Sequence, residues 1–91
     1  MNKSELVKAL AEEHMLPIDE AAMMVDTFFD CLRDAMVRGE RVEIRGFGSF
    51  KVKEYKSYLG RNPKTGSNVA VPPKKLPAFR AGKELKDVLN V

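Results

Sequence analysis

The sequence predicts an α+β protein: two N-terminal helices, a three-stranded antiparallel sheet with a protruding β-hairpin arm, and a short C-terminal helix. Three observations carry this. Apolar residues recur every three or four positions through the first 39 residues. After Gly39 the period changes to two. A turn-rich stretch from Gly60 to Pro73 then contains few large apolar side chains. With 91 residues, 44% hydrophobic and 32% charged, the chain has the size and composition of one globular domain. The expected boundaries are a helical dimerisation base over 1–39, a sheet over 40–82 with its arm at about 55–73, and a C-terminal helix over 83–91.

The first helix starts at a capping box, Asn2 with Glu5 three residues on, and Leu6 and Leu10 supply its stripe. Met15-Leu16-Pro17 interrupts the pattern. Asp19 and Glu20 place negative charge at the start of the second helix, where the helix dipole favours it. Ala21, Val25, Phe28, Phe29, Leu32 and Met36 form one wide apolar face, and Arg38-Gly39 is the expected stop. Arg41 to Arg45 then alternates polar and apolar as a half-buried strand. Gly46-Phe47-Gly48 is a tight turn, and the second strand carries Phe50 and Val52 and runs on through Tyr55 and Tyr58 toward Gly60. Gly60 to Gly66 is a turn around Pro63, and Val69-Ala70-Val71 is a returning strand that Pro72-Pro73 ends. A hairpin that buries so little should project into solvent. Leu76 to Phe79 returns to core-like residues, and Lys83 to Leu89 reads as a helix.

The same pattern leaves too little material to cover Phe28, Phe29, Phe47, Phe50 and Phe79 within one chain. A homodimer sharing one aromatic core is the economical solution.

The net charge of +3 hides an asymmetry. Residues 1–40 carry −5 and residues 41–91 carry +8. That division separates a scaffold from a basic working surface, and such a surface meets polyanions, nucleic acid first. Lys51, Lys53, Lys56, Arg61, Lys64, Lys74 and Lys75 flank the predicted ribbon. A β-ribbon fits a DNA groove, and cations along it release counterions from phosphates. Pro63 at the tip pre-sets a turn, and an apolar group placed there can also wedge into a base step. Arg61 beside it favours the wedge, because arginine suits a narrowed minor groove.

Other chemistry is poorly supplied. Cys31 is the single cysteine, which excludes an internal disulfide, and it sits on the second helix as a packing residue. His14, the single histidine, falls near a helix end in a capping or solvated position. No nucleophile–base pair, phosphate-cradling glycine loop or metal-ligand spacing is present, so the expectation is a non-enzyme without cofactor or metal. No apolar run approaches the ~20 residues of a membrane span. The first five residues lack a signal peptide's apolar stretch, so the cytoplasm is the expected compartment.

Three segments carry a family resemblance: Gly46-Phe47-Gly48-Ser49-Phe50, Gly60-Arg61-Asn62-Pro63-Lys64-Thr65-Gly66, and Pro77-Ala78-Phe79-Arg80-Ala81-Gly82-Lys83. Together they resemble the signature segments of the bacterial HU and integration host factor family, and the similarity runs the length of the chain. The resemblance implies an intertwined dimer with a helical base, a saddle-shaped sheet and two arms around double-stranded DNA. It makes Pro63 the intercalating wedge, with Arg61 and Asn62 in the minor groove beside it. Lys51, Lys53, Lys56, Lys64, Lys75 and Arg80 become phosphate or groove contacts. Lys3, Lys83 and Lys86 hold DNA along the flank, and Phe47, Phe50 and Phe79 belong to the shared core. It also implies a nucleoid-associated location.

The departures are local. Tyr55 and Tyr58 stand where many relatives carry arginine, Ala81 where proline is frequent, and Pro17 where a serine-like cap is common. Glu43 to Phe50 resembles the β subunit of integration host factor more than a typical HU, which would let Arg45 add a minor-groove contact. The insertion between helices expected in that subunit is missing. A homodimeric bender and a subunit of a heterodimer with sequence preference are thus both open, and an RNA duplex would satisfy the same phosphate contacts.

Overall fold

A computed structural model describes residues 1–91. The chain folds as α1 (Lys3–His14), α2 (Ile18–Val37), β1 (Val42–Ile44), β2 (Gly48–Tyr55), β3 (Tyr58–Arg61), β4 (Asn68–Val71), β5 (Lys74–Ala81) and α3 (Lys83–Leu89). The cap at Asn2 forms as the sequence requires, its Oδ1 accepting from the Glu5 N–H at 2.9 Å. Val7, Ala21 and Val25 lock α1 against α2 in a small core.

Two helix ends are less conventional. Pro17 caps α2 without a side-chain hydrogen bond. Met15 closes α1 in the left-handed region at φ 52, where a side chain is strained and glycine is not. Met15→Gly should therefore raise stability by up to ~1 kcal/mol, read as a higher denaturation midpoint at fixed protein concentration. At the far end of α2, the Arg38 guanidinium reaches both carboxylate oxygens of Glu40 at 3.2 Å. Hydrogen bonding and charge from Arg38 hold the Glu40 carboxyl below its ordinary range.

The sheet order is β1-β2-β5, antiparallel throughout, and β3 and β4 pair separately as the arm. Here the structure corrects the sequence reading. The second strand does not run through to Gly60: it stops at Tyr55, and Lys56 and Ser57 separate it from β3. The reason lies opposite. Pro72 and Pro73 have no N–H to donate, so the ladder cannot continue past the Tyr55↔Lys74 rung until Tyr58↔Val71. The arm is thus a separate two-stranded ribbon joined to the body by two unpaired links.

Register fixes the faces of the body sheet. Val42, Phe50 and Phe79 align across the three strands, and Val52 pairs with Pro77. This is the inner face. Phe79 stacks on Phe50 at 4.8 Å and on Phe47 at 5.4 Å between ring centroids. Gly48 lies under these rings, where a Cβ would come within 2.7 Å of Phe79 and 2.4 Å of the Arg80 carbonyl, so no larger residue fits. Leu76 does not join them. It pairs with Lys53 on the outward face, because only alternate residues of a strand share a side.

One chain has little interior. Only five of 91 residues are buried, and Phe28, Phe29, Phe47 and Phe79 are each about half exposed. The surface is 7889 Å², against ~5,300 Å² for a compact monomer of this mass. The radius of gyration is 19.1 Å, against ~12 Å for a compact chain of this length.

Candidate nucleic-acid interface

The outward face of the sheet collects charge by the same alternation. Ser49, Lys51 and Lys53 of β2 share it with Arg80 of β5 and Glu43 of β1. Ser49 is the single buried polar residue. Its hydroxyl accepts from Arg41 Nη2 at 3.5 Å, and the same guanidinium pairs with Glu43 at 2.9 Å. Sequence reasoning passed over Arg41. The signal was the alternation Arg41-Val42-Glu43, which puts Arg41 on the polar side with Glu43.

At the helix end of this face a cleft of about 670 Å³ draws together Arg41, Arg45, Arg80, Lys83 and Lys86. Four of these five come from the predicted site, and the five arrive from the residue before β1, the turn after it, β5 and α3. Two backbone bonds shape that turn: Phe47 N–H to the Ile44 carbonyl at 3.0 Å, and Gly82 N–H to the Phe47 carbonyl at 2.8 Å. The second bond ties the start of α3 to the sheet and so carries Lys83 and Lys86 to Arg80.

The arm forms the opposite end. Tyr58, Gly60, Val69 and Val71 share one side, and Leu59, Arg61, Asn68 and Ala70 the other. Asn62 organises its tip. The Asn62 N–H donates to the Ser67 carbonyl at 2.9 Å, and the Asn62 carbonyl accepts from Gly66 at 2.7 Å. Its side-chain Oδ1 accepts from the Lys64 N–H at 2.9 Å, an Asx turn with Pro63 at its corner. Gly66 takes φ +71, which few other residues adopt. Pro63 is therefore held exposed in a turn whose hydrogen bonds do not involve its ring, between Arg61 and Lys64.

Two predicted contacts stand apart from this surface and a third lies at its edge. Lys3 lies on the helical base, paired with Asp26. Lys75 faces the inner side of the sheet, 3.6 Å from Glu54. Lys56 sits in the unpaired link at the root of the arm. The predicted core rings fall in two groups, Phe47, Phe50 and Phe79 on the sheet and Phe28 with Phe29 on α2, 5.2 Å apart edge to face. An apolar groove beside Phe28 and Phe29 is completed by Leu6, Leu10, Met24 and Val25. No group of three His, Cys, Asp or Glu side chains is placed to hold a metal, and no helix is long and apolar enough to cross a membrane.

Comparison with known proteins gives a consistent set. The family model described as bacterial DNA-binding protein matches residues 1–90. The chain is 44% identical over 90 residues to DNA-binding protein HU of Staphylococcus aureus, covering 99% of this chain and 100% of that one. It is also 44% identical to DNA-binding protein HU 1 of Bacillus subtilis, with 98% and 97% covered. In structure it resembles Anabaena HU from a cocrystal with DNA, with a TM-score of 0.86 at 37% identity over 98% of this chain and 97% of that one.

Proposed function

This chain belongs to the bacterial DNA-binding family of HU and integration host factor, and we propose that its dimer bends double-stranded DNA by inserting two β-arms into the minor groove. It is an architectural nucleoid protein, and its work is binding and deformation, with no catalytic step and no cofactor. The cytoplasm, where the nucleoid lies, is its place of action.

The observation that carries this reading is the arm. A ribbon with almost no core of its own projects from a basic face and presents an exposed proline in a pre-formed turn. Nothing in the chain's own packing accounts for such an element. A duplex does: cations draw it in and neutralise phosphates, the ribbon enters the groove, and each Pro63 unstacks one step. Unstacking costs a few kcal/mol per step, offset by the additional contacts that the bent duplex makes with the body. Arg61 and the free amide NH₂ of Asn62 supply the polar contacts beside the wedge. Lys51, Lys53, Lys64 and Arg80 meet phosphates along the path, and Arg45, Lys83 and Lys86 meet them at the cleft.

Two arms require two chains. The half-exposed phenylalanines, the groove beside Phe28 and Phe29, and about 2,600 Å² of surface beyond a compact monomer all support a partner on the inner face. Val88 and Leu89 of α3 are also exposed, and a partner's helices would cover them. Full-length 44% identity to proteins named HU favours a homodimer. The Glu43-Ile44-Arg45 run favours a subunit of the integration host factor type that needs a different partner.

A gel-shift series on the purified chain at two salt concentrations tests the function. The expected result is tight, salt-sensitive binding that ranks nicked duplex above random duplex and both above an equal-length RNA duplex. Absence of binding by the lone chain would move the assignment to the heterodimer.

A further inference from the structure

The last rung of the body sheet pairs Tyr55 with Lys74, at the point where the arm begins. By alternation both belong to the outward face, in line with Ser49, Lys51 and Lys53 on β2 and with Arg80 on β5. The rung beside it, Glu54 with Lys75, belongs to the inner face. The two adjacent lysines therefore stand in opposite surroundings. Lys75 has a carboxylate 3.6 Å from its ammonium. Lys74 has no ion-pair partner, and its Nζ stands 5.8 Å from the centroid of the Tyr55 ring.

That difference matters for phosphate binding. A carboxylate neighbour offsets the ammonium charge, whereas an aromatic ring attracts the cation through its quadrupole and leaves the charge whole. The ring also narrows the rotamers of a long side chain, so less freedom remains to be lost when a phosphate arrives. Pro72 and Pro73 fix the backbone approach to Lys74.

We propose that Lys74 is the phosphate-binding lysine at the root of each arm and that Tyr55 is the residue that positions it, an inference that rests on the DNA-binding reading above. It replaces the sequence-based choice of Lys75. It also gives Tyr55 a role where many relatives carry arginine: the cation is held on β5 by a ring on β2.

The test is the salt dependence of duplex binding by the full chain, followed by fluorescence anisotropy with a labelled random duplex. Lys74→Gln should reduce the slope of log K against log salt by ~0.9 per protomer, about 1.8 per dimer. Lys75→Gln should reduce it by less than half as much. Tyr55→Ala should lower the slope, and Tyr55→Phe, which keeps the ring, should retain the wild-type value. All four variants should keep the wild-type thermal midpoint, which separates these effects from misfolding. An unchanged slope in Lys74→Gln, or an equal loss in Lys75→Gln, overturns the assignment of Lys74. A wild-type slope in Tyr55→Ala overturns the positioning role. Wild-type protein that shows no salt-dependent DNA binding would instead remove the functional reading on which the proposal stands.

Discussion

Pro63→Ala should abolish most of the DNA bending while leaving binding to nicked DNA within about tenfold of wild type. The tip turn is built by Asn62 and Gly66, whose hydrogen bonds do not involve the proline ring. Alanine at position 63 therefore keeps the arm's shape and removes only the apolar wedge. Each wedge is asked to open one base step and contribute a kink of tens of degrees. A nicked duplex is already unstacked at one step, so it loses less from the substitution than intact DNA does. Ring closure of short linear duplexes is the measurement. Wild-type protein should accelerate cyclisation strongly and Pro63→Ala weakly. Equal cyclisation by the two would mean that the bend comes from wrapping along the basic face rather than from the tip.

Phe79→Ala should be the most destabilising ring truncation in the sheet. Its ring is the hub of the inner face, 4.8 Å from Phe50 and 5.4 Å from Phe47. Removing a large aromatic of this kind costs ~3 kcal/mol or more through lost burial and the cavity left behind. In a protein of this size that is a large share of total stability. Phe47→Ala, which has one ring neighbour rather than two, should cost less. Because Phe79 is half exposed in one chain, its loss should also weaken the dimer. Denaturant midpoints at fixed protein concentration check the first point and dissociation on dilution the second: a lower midpoint, and a dimer that dissociates at a higher protein concentration, are expected for Phe79→Ala. A midpoint equal to that of Phe47→Ala would show that the ring is not the hub.

Much of this molecule was legible in the sequence because local chemistry decides it. The Asn2 cap, the Arg38-Gly39 stop, the tight turn at Gly46 and the tip at Pro63 are each fixed by residues next to one another. The aromatic set was legible from alternation, and its exposure from simple bookkeeping of chain length against ring count. What escaped depends on the partner strand. The gap at Lys56 and Ser57 is invisible in β2 itself, where the alternation toward Tyr58 continues; its cause is Pro72-Pro73 across the sheet. Leu76 looked like core because it adjoins Pro77 and Phe79, yet one residue of register sends it outward. Lys74 and Lys75 are indistinguishable as neighbours in a basic run, and only pairing shows that one faces a carboxylate and the other a tyrosine ring. The sequence marks only a break at Met15-Leu16-Pro17, and the left-handed backbone of Met15 within it is not legible from residue type.

A dimer of this chain alone should bend duplex DNA. Energy transfer between dyes at the two ends of a short intact duplex, titrated with purified protein, tests it most directly. Transfer should rise, saturate at two chains per duplex and reverse on adding salt. Saturable binding with no change in end-to-end distance would contradict it.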